Sequence, residues 1–149
     1  MKGSEMRSGR TFVLKLDEGE ILHESVESFC SAHGVVRATV TAVGGAAQGS
    51  EIVVGPKIPV GEKIIPQTYV TEAPCELTGT GTVFPDTEGK PIMHMHGSLG
   101  RSGRSVTGCF RKKVVVWLTM EIVICELLGE GPFRAESDPR ISAKLLQIS

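Results

Sequence analysis

Asp17-Glu18-Gly19-Glu20-Ile21-Leu22-His23-Glu24-Ser25-Val26-Glu27-Ser28-Phe29-Cys30-Ser31-Ala32-His33-Gly34-Val35-Val36-Arg37-Ala38-Thr39-Val40-Thr41-Ala42 decides the fold class, because its apolar period changes partway along. In the first half Ile21, Leu22, Val26, Phe29 and Cys30 recur at helical spacing and make one stripe. Asp17 followed by Glu20 has the spacing of a capping box. His33 suits a last helical turn and Gly34 the left-handed position after it. The spacing predicts a helix over 18–33. In the second half Val36, Ala38, Val40 and Ala42 alternate with Arg37, Thr39 and Thr41, the signature of a half-buried strand.

Outward from this stretch the period stays near two. Residues 11–16 read as a first strand, preceded by a Gly/Ser/Arg-rich flexible tail over 1–10. Gly44, Gly45 and Gly49 mark a bend before a strand at 50–54, and three prolines make 55–66 a loop. Cys75, Leu77 and Val83 alternate with Glu76, Thr78, Thr80 and Thr82. Gly79 and Gly81 fall on the apolar side, where a neighbour can approach the backbone closely. Residues 92–99 and 105–110 form a hairpin around Gly100-Arg101-Ser102-Gly103-Arg104. Residues 114–128 make one long strand, or two with a bulge, and 145–148 a short apolar piece. One main helix among many strands predicts a single α+β domain over 11–149 with a mixed or antiparallel sheet. The chain has 149 residues, enough for one core and too few for two.

Formal net charge is −1, so the overall basic excess of a dedicated nucleic-acid binder is missing. No apolar run reaches about 18 residues, which excludes a membrane-spanning helix. Residues 1–10 lack the apolar core of a secretory leader, and Cys30, Cys75, Cys109 and Cys125 form no C-x-x-C pair. A cytoplasmic protein with free thiols is expected, with Cys30 and Cys125 packed in the core.

The most suggestive chemistry is His94-Met95-His96. Alternation puts His94 and His96 on one strand face with Ile92 and Ser98, and Met93, Met95 and Leu99 on the other. Two imidazoles at this spacing can share a divalent metal such as zinc, which generally needs a third protein ligand. A cupin-type site needs a glutamate three or four residues on, where Gly100 and Arg101 stand. A copper site using Met93 and Met95 needs them on the histidine face. The third ligand has to come from the neighbouring strand. If the hairpin is centred between Arg101 and Ser102, His94 faces Cys109; if it is centred on Ser102, His94 faces Phe110. A metal pair and the lining of a polar pocket or subunit interface both remain open.

A second candidate is basic. Arg101 and Arg104 at the hairpin tip, with Arg111, Lys112 and Lys113, form the best local patch for phosphate or another polyanion such as DNA. Residues 44–49 lack a P-loop lysine, and Ser98 is outside a G-x-S-x-G elbow. No catalytic residue is nominated, and a binding module is expected rather than an enzyme.

His94-Met95-His96-Gly97-Ser98-Leu99-Gly100, then Val106-Thr107-Gly108, resembles the H-x-H-x-S-L-G … V-x-G-G-H block of the plants and prokaryotes conserved (PPC) domain. Residues 19–34, 75–80 and 114–127 resemble its helix, its F-E-I-L-S-L-S-G segment and its last long strand, in the same order. The resemblance implies a PPC-like homotrimer of the stand-alone prokaryotic type, with a provisional DNA-binding label and no settled activity. It implies a metal held by three histidines in some members. Here Gly108-Cys109-Phe110 matches the G-G-H triplet, so Phe110 stands in place of the third histidine. That alignment favours Phe110 on the histidine face and weighs against the ion. The AT-hook core of plant relatives is absent, and Arg7-Ser8-Gly9-Arg10 is only a faint echo of it.

Overall fold

The computed structural model describes residues 1–58 and 63–148. The alternation around Ala38, Val40 and Ala42 becomes β2 (Ala38–Ala46), with those three side chains buried and Thr39 and Thr41 exposed. β2 lies inside an eight-stranded sheet ordered β1-β8-β2-β5-β6-β7-β3-β4. The other strands of this sheet are β1 (Arg7–Asp17), β3 (Glu51–Pro56), β4 (Pro66–Val70), β5 (Cys75–Pro85), β6 (Pro91–Arg101), β7 (Arg104–Cys109) and β8 (Val116–Leu128). Every pairing in it is antiparallel. A separate hairpin, β9 (Pro132–Glu136) with β10 (Lys144–Ile148), touches the sheet through a parallel bridge between Asp86 and Arg134. The α+β class therefore holds, with the sheet antiparallel rather than mixed.

The helix α1 spans Leu22–His33, four residues shorter at its start than the periodicity predicts. Asp17 ends β1 and is not its cap. Ile21 holds the N-cap position in extended geometry, with no side-chain cap. Half of the capping box does form: Glu20 Oε2 accepts from the Asp17 amide at 2.7 Å. That bond closes the turn between β1 and α1 instead of starting the helix. Gly34 takes the left-handed C-cap, with φ 63°. Leu22, Val26 and Cys30 are buried and α1 packs on β6, where Glu27 Oε1 accepts from the Met93 amide at 2.9 Å.

The predicted flexible tail is partly strand. Arg7 and Ser8 pair with Leu128 and Leu127, after which the register shifts before Thr11. A buried carboxylate on β8 gives the physical reason. The Glu126 side chain is 8% exposed, and the Arg10 guanidinium grips both its oxygens, at 2.8 and 2.7 Å. Hydrogen bonds from Arg10 hold the Glu126 pKa down from 4.5 to about 2. A depressed carboxylate stabilises the fold above its unfolded pKa and loses that contribution as pH falls through its folded value. Thermal stability followed by circular dichroism should therefore fall between about pH 4.5 and 2, with a smaller acid loss in Glu126→Gln.

Residues 114–128 realise the bulged alternative. Gly44 pairs with Met120 but Gly45 with Trp117, so Leu118 and Thr119 are extra. Leu118 adopts φ 60° and is exposed. Gly44 is required there, because a Cβ would lie 2.5 Å from the Thr119 carbonyl oxygen. The bend predicted at Gly44 and Gly45 is thus this bulge, inside β2. Part of the loop predicted over 55–66 lies outside the described residues, and its ends belong to β3 and β4.

One sheet face makes the core through Val40, Ala42, Leu77, Val83, Met93, Met95, Leu99, Ile122 and Ile124. The other face is open, with Val13, Thr39, Thr41, Val43, Thr80 and His96 exposed. Cys30 is in the core as expected. Cys125 instead lies opposite Thr11 and Thr39 and is exposed, because β8 alternation puts Ile124 inward.

Candidate metal centre

The β6–β7 turn sets the site. Ser102 and Gly103 have φ 52° and 72°, the positive pair of a type I′ two-residue turn, and Arg101 faces Arg104 across it. Gly97 then faces Gly108, and His96 faces Cys109. Both registers predicted from sequence are thereby replaced, since the hairpin is centred between Ser102 and Gly103. Directly opposed residues in an antiparallel pair point to the same side. Cys109 therefore joins the histidine face, and Phe110 does not. Phe110 is 1% exposed, and its amide donates to the Met95 carbonyl at 2.8 Å. Its ring fills the room left by Gly79 and Gly97; a Cβ on Gly97 would lie 2.7 Å from Phe110 Cε2.

The ligand atoms of His94, His96 and Cys109 all lie within 4.8 Å of one another. Tetrahedral zinc with bonds of ~2.0–2.3 Å needs ligand atoms ~3.3–3.8 Å apart. The two imidazole rings stand 5.0 Å apart and perpendicular. Three nitrogen and sulfur donors leave one coordination position open, and the donor set suits zinc. His94 is half-buried, Cys109 buried and His96 exposed. Burial lowers the His94 pKa to about 4, and Arg134, His96 and Arg111 act in the same direction. His94 is then neutral near pH 7, with a ring nitrogen free to donate its lone pair.

Two arginines border the cluster. Arg111 Nε donates to Cys109 Sγ at 3.1 Å. Arg134, on β9, is 3% exposed and donates to the Ile92 carbonyl and to Thr82 Oγ1, at 3.2 and 2.8 Å. Burial pulls its pKa below the ordinary arginine value. Sequence reading missed Arg134, since a single arginine after Pro132 carries no periodic signal.

The predicted basic patch is divided. Arg101 and Arg104 flank the turn, and Arg101 Nη1 is held by the Pro74 carbonyl at 2.6 Å. Arg111, Lys112 and Lys113 follow the far end of β7. Arg111 is engaged with Cys109, and Lys112 with Glu51 at 3.5 Å. The six residues of β7 separate the two groups by ~20 Å.

Comparison with known proteins gives a consistent result. The family model of the Plants and Prokaryotes Conserved (PCC) domain matches residues 3–128. A plant- and prokaryote-conserved protein of Pyrococcus horikoshii is 24% identical with TM-score 0.81, each chain being 97% covered. A metal-containing protein of Archaeoglobus fulgidus is 26% identical with TM-score 0.80, and both chains are covered completely, at 100%. A Bacteroides thetaiotaomicron protein with a provisional DNA-binding name is 14% identical with TM-score 0.73, over 96% of this chain and 97% of its own. No curated protein is similar enough in sequence to match.

Proposed function

The chain belongs to the Plants and Prokaryotes Conserved (PCC) domain family, and on that premise we propose that it is a homotrimeric binding module holding a divalent metal such as zinc on His94, His96 and Cys109. The convergence of those three donor atoms within 4.8 Å carries the reading. The metal content of the Archaeoglobus fulgidus relative supports it. Cys109 takes over the role that the family pattern gives to a histidine one residue later. When bound, zinc supplies a Lewis acid with an open position for one more donor. The chain's own groups do the rest. His94 stays neutral through burial, and Arg111 Nε donates to the Cys109 sulfur.

The open sheet face supports the trimer, because Val13 and Val43 are exposed among small threonines on the face that also carries His96. We place the protein in the cytoplasm, where its four free thiols persist. Among the described residues no helix is long and apolar enough to cross a membrane. The geometry gives less to a DNA contact through Arg101, Arg104, Arg111, Lys112 and Lys113. Those side chains are split between the two ends of β7, and three of them already have partners.

One experiment addresses both parts of the proposal: sizing with light scattering, followed by elemental analysis of the same peak. The expected result is three chains of 15.9 kDa with one zinc per chain. A peak without stoichiometric metal after zinc reconstitution removes the metal reading, and a monomer peak removes the trimer.

A further inference from the structure

Arg134 presents an unusual charge balance. Its guanidinium is 3% exposed, yet among the described residues no carboxylate lies within salt-bridge distance of it. Its two hydrogen-bond acceptors, the Ile92 carbonyl and Thr82 Oγ1, are neutral. Asp86, its backbone neighbour, is occupied by Lys144 at 2.7 Å. A buried charge without a counter-charge is costly and is normally paired. Among the described residues Arg111 likewise has no carboxylate partner, and its Nε donates to Cys109 Sγ.

The two arginines meet in one place. With His94 and Lys144 they line a cleft of about 320 Å³ between β6 and the β9–β10 hairpin, and among the described residues no aspartate or glutamate lines it. Leu145 and Leu146 supply an apolar wall. This positive cleft opens beside the centre assigned above to a divalent cation. Even a Cys109 thiolate offers one negative charge against two guanidiniums. Adding zinc brings two more positive charges, so the two arginines weaken the binding of a cation alone. A small anion spanning the cleft reverses that sign, since it pairs with both guanidiniums and reaches the metal's open position.

We propose that the centre takes its metal together with a small oxyanion, a carboxylate or a phosphate, held by Arg111 and Arg134 in the cleft beside His94. This rests on the metal reading above and adds the class of its partner ligand. Binding of the two is cooperative, and linkage requires each to tighten the other by the same factor. Guanidiniums fit both anions through paired N–H donors, and the weakly coordinating perchlorate serves as the reference.

The test is a zinc competition titration of metal-stripped protein against a chromophoric chelator, at matched ionic strength. Sodium perchlorate is the background, and succinate, methylphosphonate and uncharged acetamide are the probes, with zinc bound by each probe corrected for. Succinate or methylphosphonate should tighten zinc by about tenfold or more, within the usual range of coupling, while acetamide does nothing. Which anion acts distinguishes a carboxylate ligand from a phosphate. In Arg134→Gln the enhancement should fall to near one, and the anion-free zinc affinity should rise because a like charge is gone. A merely structural arginine would lower the anion-free affinity instead. Arg111→Gln, at an exposed position, repeats the measurement if Arg134→Gln does not fold. Zinc that binds equally with and without either anion overturns this proposal and leaves the metal centre standing. No zinc binding in any buffer overturns both.

Discussion

Replacing Cys109 with alanine should weaken zinc binding by more than about a hundredfold. Loss of an outer partner of a metal ligand already costs 10–100-fold, and Cys109 would be a direct ligand. The remaining His94 and His96 form a two-donor site, short of the three or four protein groups that zinc generally uses. Cobalt substitution gives a second readout, because a sulfur ligand adds a charge-transfer band that the variant should lose. Cys125→Ala is the control. Cys125 is exposed on the same sheet face, but it lies on β8, three strands from β6 and so ~14 Å away. It should keep both affinity and spectrum. Full zinc affinity in Cys109→Ala would move the metal to another place in the protein.

Phe110→Ala should destabilise the fold by about 3–5 kcal/mol, the usual cost of emptying a buried phenylalanine site. The neighbourhood cannot readily collapse into the hole. Gly79 and Gly97 have no side chains to move in, and both strands are fixed by ladders on each side. Against a typical total of ~5–15 kcal/mol, this is a large fraction. Urea unfolding measures it directly. The same variant checks the register. A phenylalanine on the open histidine face would be partly solvated, and its loss would cost little. A change below about 1 kcal/mol would therefore contradict the pairing of His96 with Cys109.

The fold class was legible because Ile21 to Cys30 and Val36 to Ala42 carry strong and different periods. The helix start was not. Asp17 and Glu20 have capping spacing, but a strand end used them first, and spacing alone does not say which backbone amide a glutamate meets. The histidine pair was legible for the same reason as the strand: alternation sent Met93 and Met95 inward, where they are 5% and 0% exposed. Cys109 was legible as a candidate third donor, but the turn register that decides its face was not. Ser102-Gly103 accommodates two positive φ values, and that turn moves Cys109 onto the histidine side and Phe110 off it. Alignment to the family triplet pointed the other way, because it matches letters and is blind to the pleat. β4 and β9 were missed entirely. Each is five residues long, begins with proline and has no apolar repeat. Arg134 went unseen with β9, and the cleft with it.

The sheet order has a consequence for how the chain reaches this structure. β8 lies between β1 and β2, so Arg7 pairs with Leu128 and Ala38 with Glu126. Loops closed over such separations cost entropy before any contact repays it, and topologies rich in them fold slowly. During synthesis β1 has no strand partner, and β2 has only β5, until β8 has emerged from the ribosome. The turn at Ser102-Gly103 is the opposite case. It joins β6 to β7 locally, so the strand pair that carries His96 and Cys109 is available early, well before β8 enters between β1 and β2.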